Sequence, residues 1–268
     1  MVLVLKIGDR VIDSALSEHS LKDLKVVAKE TPTVLVHGGG GTVTRVAESL
    51  GIQQKFVTSP EGFRSRYTNE ATVQVYTMVM AGKINKEIVC RLQESGIPAV
   101  GLSGLDGGLI RAQRKKRLVV RDGQGRRRVI NGGYTGKIAS VNVALLETLL
   151  QSGYVPVIAP IALGEEFEPL NIDGDRTAAY VAGALKASLL LLLTDVDGLS
   201  LGGDLVRTLK AGEARQYLPK IGPGMITKTH AALEAVAMGV QCVKIGPGNL
   251  TNPFSAALVD GFGTRVLP

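Results

Sequence analysis

Four consecutive glycines, Gly38 to Gly41, follow Val34-Leu35-Val36-His37 and precede Thr42 to Leu50. The first four residues read as a buried strand, and the glycines then let the backbone turn and approach a ligand with no Cβ in the way. Val43, Val46, Ala47 and Leu50 recur at helical spacing, so the glycines end at a helix N-terminus, where free N–H groups and the helix dipole attract anions. An anionic ligand is expected there; the plainer alternative is a tight turn with no ligand. Other groups able to do chemistry stand at similar junctions. Lys6-Ile7-Gly8 ends an apolar run, Gly62-Phe63-Arg64 follows the glycine loop, and Asn171-Ile172-Asp173-Gly174-Asp175 opens a helical pattern. Leu193-Thr194-Asp195-Val196-Asp197-Gly198 closes another apolar run, and Gly222-Pro223-Gly224-Met225-Ile226-Thr227-Lys228 opens another helix.

Several familiar sites are excluded. The His-Gly-Gly-Gly string occurs as an oxyanion loop in α/β-hydrolases, which also need a Gly-x-Ser-x-Gly elbow. Gly101-Leu102-Ser103-Gly104-Leu105 comes nearest and lacks the last glycine. Gly133-Tyr134-Thr135-Gly136-Lys137 is not a Walker A loop, because its spacing is wrong and Ile138 follows the lysine. The glycine run does not complete Gly-x-Gly-x-x-Gly either. Cys90 and Cys242 have no C-x-x-C spacing and the three histidines are scattered, so neither a disulfide framework nor a metal site from protein ligands is expected.

The elements that must position these groups alternate. Strands are expected at Val2 to Ile7, Thr33 to His37, Ala99 to Leu102, Tyr154 to Ile158, Leu189 to Thr194 and Val240 to Ile245, all apolar runs without alternation, as in strands covered on both faces. Helices are expected at Ala15 to Ala28, Asn69 to Glu94, Ile138 to Gln151, Asp175 to Lys186 and Thr227 to Met238. The fold class is α/β with a mainly parallel open sheet between helices. Met1 to Ile7 enters a strand without a basic segment or cleavage site, and the run Leu189 to Leu193 is too short to span a bilayer, so a cytoplasmic protein with no membrane partner is expected.

One segment breaks the rhythm. Between Gly107 and Lys137 two strands joined by an Asp122-Gly123 turn are expected to form an inserted antiparallel hairpin. Arg111 to Arg128 holds nine basic residues against Asp122 alone, a net charge of +8, which exceeds the +7 of all 268 residues. The rest of the chain is therefore near neutral and the hairpin is its basic surface. A solvated charge run is the ordinary reading of such a stretch, but its concentration on one hairpin favours a partner site. From Arg111 to Ile130 the hairpin has no aromatic residue for base stacking, so nucleic acid is the weaker choice of partner.

Taken together and in order, these motifs resemble the amino acid kinase family, and within it the N-acetylglutamate kinase type. The resemblance implies transfer of the γ-phosphoryl of MgATP to a carboxylate, with residues 1–168 holding the acid substrate and 169–268 the nucleotide. Such transfer depends on positioning and on charge around the phosphoryl oxygens. Lys6 and Lys228 match the family lysines that contact the phosphoryl, and Asp175 the aspartate that orients them. Gly39, Gly40, Arg64 and Asn171 match substrate-binding positions, and Gly8, Asp195 and Gly224 the nucleotide side.

Gly62 to Thr68 and the basic hairpin closing on Asn131 to Lys137 look like the branch acting on α-aminoadipate or glutamate joined through its amino group to the C-terminal glutamate of a small, acidic LysW-type carrier protein. Arg114, Lys115, Lys116, Arg117, Arg126, Arg127 and Arg128 would then meet the carrier. Two alternatives stay open: a kinase of free N-acetylglutamate, and a nucleic-acid-binding protein using the same hairpin. Gly8-Asp9 departs from the Gly-Gly of many members, placing a carboxylate near the phosphates unless it turns away or meets Arg10 or Mg²⁺. In this family an extension before the first strand accompanies arginine-inhibited hexamers, and with none seen ahead of Val2 a dimer without arginine feedback is expected.

Overall fold

The computed structural model describes residues 1–222 and 224–268; Pro223 of the Gly222-Pro223-Gly224 motif lies outside the described residues. An eleven-stranded sheet organises the chain. Its central order is Cys242–Pro247, Leu189–Thr194, Leu3–Ile7, Thr33–His37 and Val155–Leu163, all parallel. Alternate residues of these runs enter different cores. Val4, Val34, Val36, Leu190 and Leu192 pack under the helices Val143–Gln151, Gly174–Ala184 and Met225–Ala237. Leu3, Leu5, Leu35, Leu191 and Leu193 pack under Glu18–Glu30 and the helical stretch between Glu70 and Glu94. Burial on both faces is what the unalternating runs require.

Val155–Leu163 links the central sheet to the insert. Its first half pairs with Ala99–Gly104, and its end pairs with Pro169–Asn171 and touches Ile110–Arg114. Asn171 is thereby fixed at the edge where the other strands deliver Lys6 and Gly38. That is the carboxyl edge of the parallel strands, where ligands of open α/β sheets bind.

Two expectations need correction. The helix expected from Ile138 starts only at Val143, where the Asn142 side chain accepts from Leu145 N–H and caps it. Gly136–Val141 is instead a strand antiparallel to Ile110–Arg114. Its Ile138 and Val141 belong to the β-branched residues that suit a strand. The insert is also more than one hairpin. Arg117–Arg121 and Arg127–Asn131 form a separate two-stranded ladder beyond the Ile110–Arg114 and Gly136–Val141 pair. Its connection is a loop from Asp122 to Arg126 rather than a two-residue turn, because the Asp122 carboxylate accepts the N–H groups of both Gln124 and Arg126.

The helix expected over Asn69 to Glu94 is one rod with a π-helical segment, Met78–Ile84, inside it. Such bulges shift the register of following side chains and are frequent at functional sites. Here Met80 and Ile84 press on the glycine loop. A Cβ on Gly39, whose φ is 149°, would lie 2.1 Å from Ile84 Cδ1 and 3.1 Å from Met80 Sδ.

Gly132 is required for closeness rather than for its backbone angle. A Cβ there would lie 1.5 Å from the Lys115 carbonyl oxygen, and backbone cannot yield as a side-chain tip does. Gly132→Ala should lower stability by about 3 kcal/mol, the upper end of ordinary overpacking costs. A shift of the denaturant midpoint corresponding to less than about 1 kcal/mol would show that the root of the insert is not held in this way.

Candidate active site

Lys6 is the penultimate residue of the first strand, and Asp175 lies in the first turn of Gly174–Ala184, behind the Asp173 N-cap. Their side chains meet at 2.8 Å, each only 9% exposed. Lys228, from the first turn of Met225–Ala237, donates to both Asp175 oxygens at 3.1 Å. One carboxylate therefore bridges two ammonium groups brought from three distant parts of the sequence.

Charge and burial oppose each other here. Burial raises the Asp175 carboxyl, but Lys6 and Lys228 outweigh it and hold its pKa down to about 2. Burial likewise pulls Lys6 down, and Asp175 reverses that, leaving it above the usual lysine value. Lys228 ends below its ordinary value because burial, and then repulsion from Lys6, exceed the pull of Asp175. Asp173 is raised by burial and by Asp175 beside it. The centre is a fixed, desolvated array of charge, the kind of arrangement that stabilises a developing anion without reorganising.

A cavity of about 570 Å³ opens from this centre, lined by Lys6, Gly38 to Gly40, Arg64, Arg66, Lys115 and Asn171 among others. Asn171 is oriented from two sides: its N–H donates to Tyr134 O, and its Nδ2 donates to Thr68 Oγ1 at 2.8 Å. Arg64 is exposed and stacks on Phe56, 4.6 Å from the ring centroid. Arg66 was not singled out from the sequence. Its Nη2 donates to Gly40 O at 2.7 Å and Thr44 Oγ1 at 2.9 Å, so this buried guanidinium braces the glycine loop. The signal was present in the Arg64-Ser65-Arg66 spacing, which places both arginines on one face of a strand.

His37 supports the same loop. It is fully buried, with Nδ1 2.8 Å from Gly38 O and Nε2 3.2 Å from Asn85 Nδ2. Asn85 Nδ2 also donates to Val157 O. With Nδ1–H donating to Gly38 and Nε2 accepting from Asn85, the ring is the neutral tautomer. Burial lowers its pKa from 6.5 to about 4. An unfolded chain takes up this proton near pH 6.5 and the native chain only near pH 4. Stability is thus complete above pH 6.5 and falls by roughly 3 kcal/mol as pH drops to about 4. Denaturant titrations of wild type and His37→Gln across that window should show the fall only in wild type; parallel curves would contradict it.

Gly8, Asp195 and Gly224, the residues matched above to a nucleotide side, lie around the same edge. Gly8 comes two residues after Lys6, just beyond the strand that ends at Ile7, and Gly224, at φ 84°, precedes the helix that carries Lys228. Asp195 follows Leu189–Thr194 and accepts from Arg10 Nη1 at 2.9 Å, which draws its pKa down. Arg10 is thereby taken up, and Asp9 turns elsewhere. The Asp9 carboxylate accepts from Gly41 N–H at 2.9 Å and caps the start of Gly40–Ser49. The departure from Gly-Gly thus fills one donor of the glycine loop with the protein's own anion.

The amino acid kinase family model matches residues 1–246. The chain belongs to the amino acid kinase family. A LysW-aminoadipate/LysW-glutamate kinase of Metallosphaera sedula is 46% identical over 99% of this chain and 100% of its own. A protein of Cenarchaeum symbiosum that carries the same name provisionally is 54% identical over 96% of both chains. Among solved structures, N-acetylglutamate synthase from Neisseria gonorrhoeae superposes with a TM-score of 0.82 at 25% identity, over 100% of this chain and 59% of that one. Carbamate kinase from Giardia lamblia does so with a TM-score of 0.67 at 14% identity, over 99% and 98%, a likeness of fold alone.

Within this amino acid kinase fold the insert sorts its basic residues. Arg114 turns inward, its Nε donating to Gly133 O at 2.7 Å and its guanidinium 4.0 Å from the centroid of the Tyr134 ring. Arg126 and Arg128 are both drawn to Asp122. Arg117, Arg121 and Arg127 share one face of their ladder with the exposed Val119 and Val129. Lys116 is exposed, and Lys115 lines the cavity.

Proposed function

We propose that this protein transfers the γ-phosphoryl of ATP to the distal carboxylate of α-aminoadipate, glutamate or both, carried through the amino group by an acidic LysW-type carrier protein. The observation that carries the reading is the Lys6–Asp175–Lys228 array, opening into a cavity whose far wall is the root of a +8 insert, in a chain 44–54% identical to kinases named for LysW-linked acids.

In the proposed reaction a carboxylate oxygen of the acid attacks the γ-phosphorus as the bond to the ADP oxygen breaks. Lys6 and Lys228 place positive charge against the phosphoryl oxygens, and Asp175 keeps both ammonium groups charged and aimed. The Gly39 and Gly40 region, braced by Arg66 and His37, lets backbone approach the acid, while Asn171 and Arg64 orient its other end. Gly8, Asp195 and Gly224 flank the nucleotide, so that residues 1–168 serve the acid and carrier and 169–268 serve ATP. Mg²⁺ would come with ATP, held mainly by phosphate oxygens and water as such ions usually are. A homodimer and a cytoplasmic setting belong to the same reading. No helix among the described residues is long and apolar enough to cross a membrane.

The test is acyl-phosphate formation with MgATP, trapped by hydroxylamine, on carrier-linked aminoadipate, carrier-linked glutamate and free N-acetylglutamate, with Lys228→Ala beside wild type. Turnover of a carrier-linked acid, lost in the variant, is expected. Turnover of free N-acetylglutamate alone would remove the carrier from the reading, and salt-sensitive RNA or DNA binding without any turnover would replace it.

A further inference from the structure

Lys115 stands apart from the other basic residues of the insert. It falls between Ile110–Arg114 and Arg117–Arg121, where the two ladders join. Its N–H donates to Thr135 O at 2.8 Å, and its carbonyl lies against Gly132, which leaves no room for a Cβ. The backbone is pinned on both sides, and the side chain lines the cavity beside Asp173 and Arg176.

Its neighbours are otherwise engaged. Arg176 gives its Nε and Nη2 to Glu234 at 2.7 and 2.5 Å, and Arg114 is held by Gly133 and Tyr134. Among the described residues Lys115 Nζ has neither an ion pair nor a hydrogen bond. Burial, and then Arg176 and Lys137, draw its pKa below the ordinary lysine value, while Asp173 and Glu234 oppose this. A partly buried ammonium without a partner carries a desolvation cost. Such groups in clefts mark places where a ligand brings the opposite charge.

The chemistry of the proposed substrate supplies such a charge. Acylation of the acid's amino group by a glutamate uses one of that residue's two carboxyls and leaves the other free, a few bonds from the amide. The transferred acid's reacting carboxylate faces Lys6 and Lys228, so the leftover carboxylate lies on the carrier side, toward the insert. We propose that Lys115 binds this second carboxylate and so distinguishes a glutamyl-linked acid from a free N-acyl acid that lacks it. The inference rests on the carrier-linked reading above. It moves Lys115 from the docking surface to the substrate cavity.

The experiment uses two synthetic dipeptides, aminoadipate joined through its amino group to glutamate, with the leftover carboxyl free in one and converted to a carboxamide in the other. Both are assayed as substrates and as competitors of the loaded carrier, with wild type, Lys115→Met and Lys115→Arg. Wild type should bind the free carboxylate about tenfold more tightly, as expected for one charge-assisted hydrogen bond. K115M should erase that preference through KM or Ki with kcat changed less than threefold, and K115R should restore part of it. Equal handling of the two dipeptides by wild type, or an equal loss on both in K115M, would overturn the role of Lys115 alone. Phosphorylation of free N-acetylglutamate, with neither dipeptide nor loaded carrier recognised, would overturn the carrier reading and this inference with it.

Discussion

Asp175→Asn should lower kcat by about 10³-fold, the upper end of losses seen when one preorganised electrostatic group is removed. The amide keeps the shape of the carboxylate and loses its charge, so Lys6 and Lys228, both nearly buried, then face each other uncompensated. Removing one member of a buried ionic group costs about 3–5 kcal/mol, and a corresponding drop in stability should accompany the loss of turnover. The pH dependence has a definite sign. With its folded pKa near 2 against an unfolded value near 3.9, Asp175 contributes stability that is present above about pH 4 and lost as pH falls toward 2. In D175N that acid-side component disappears. Lys228, already below its ordinary value, should lose its proton at still lower pH, moving the alkaline limb of residual activity downward. Hydroxylamine trapping over pH 6–10 and denaturant titration over pH 2–6 check these outcomes; activity within threefold of wild type would remove Asp175 from the mechanism.

The double charge reversal Arg117→Glu with Arg127→Glu should reduce kcat/KM on the loaded carrier by about 10- to 100-fold at low ionic strength. Both residues lie on the exposed face of their ladder, and neither forms a salt bridge among the described residues. Their charge acts through the field that steers an acidic partner, and such steering changes association rates by about 10- to 10³-fold. The loss should therefore sit in KM and in the association rate. It should shrink as salt shortens the screening length to about 8 Å at physiological strength and less beyond. Stopped-flow binding between 20 and 500 mM NaCl measures this. A defect independent of salt would mean that these arginines act by shape, and no defect would move the carrier away from this face. Val119 and Val129, exposed between them, offer apolar contact that salt does not weaken.

Much of the architecture was legible because it is local. Thr33 to His37 and Leu189 to Thr194 match the observed strands residue for residue, since strands buried on both faces need unbroken apolar runs and leave little else to read. The insert was legible as charge and only partly as structure. Its turn was misread because the Asp122 carboxylate, not the Asp-Gly dipeptide, sets the loop. The helix start at Val143 was misread because Ile138 and Val141 fit helical spacing as well as strand pairing. The edge strand Ile110–Arg114 decides between them, and it is distant in sequence.

The sequence by itself determined the residue types of the site and their order: lysines beside glycines, an aspartate opening a helix, a glycine loop after a buried strand, and a cationic insert in an otherwise near-neutral chain. These follow from composition and spacing, which one chain carries whole. What only the tertiary structure decided is which groups touch. Asp175 bridges two lysines, Asp9 caps the glycine loop instead of meeting Arg10, Arg66 and His37 brace that loop from behind, and Lys115 faces the cavity rather than solvent. Each of these depends on strands or helices far apart in the chain being brought to one edge of the sheet. Hydrogen bonds and ion pairs act over about 3 Å, a scale that spacing along a sequence does not fix.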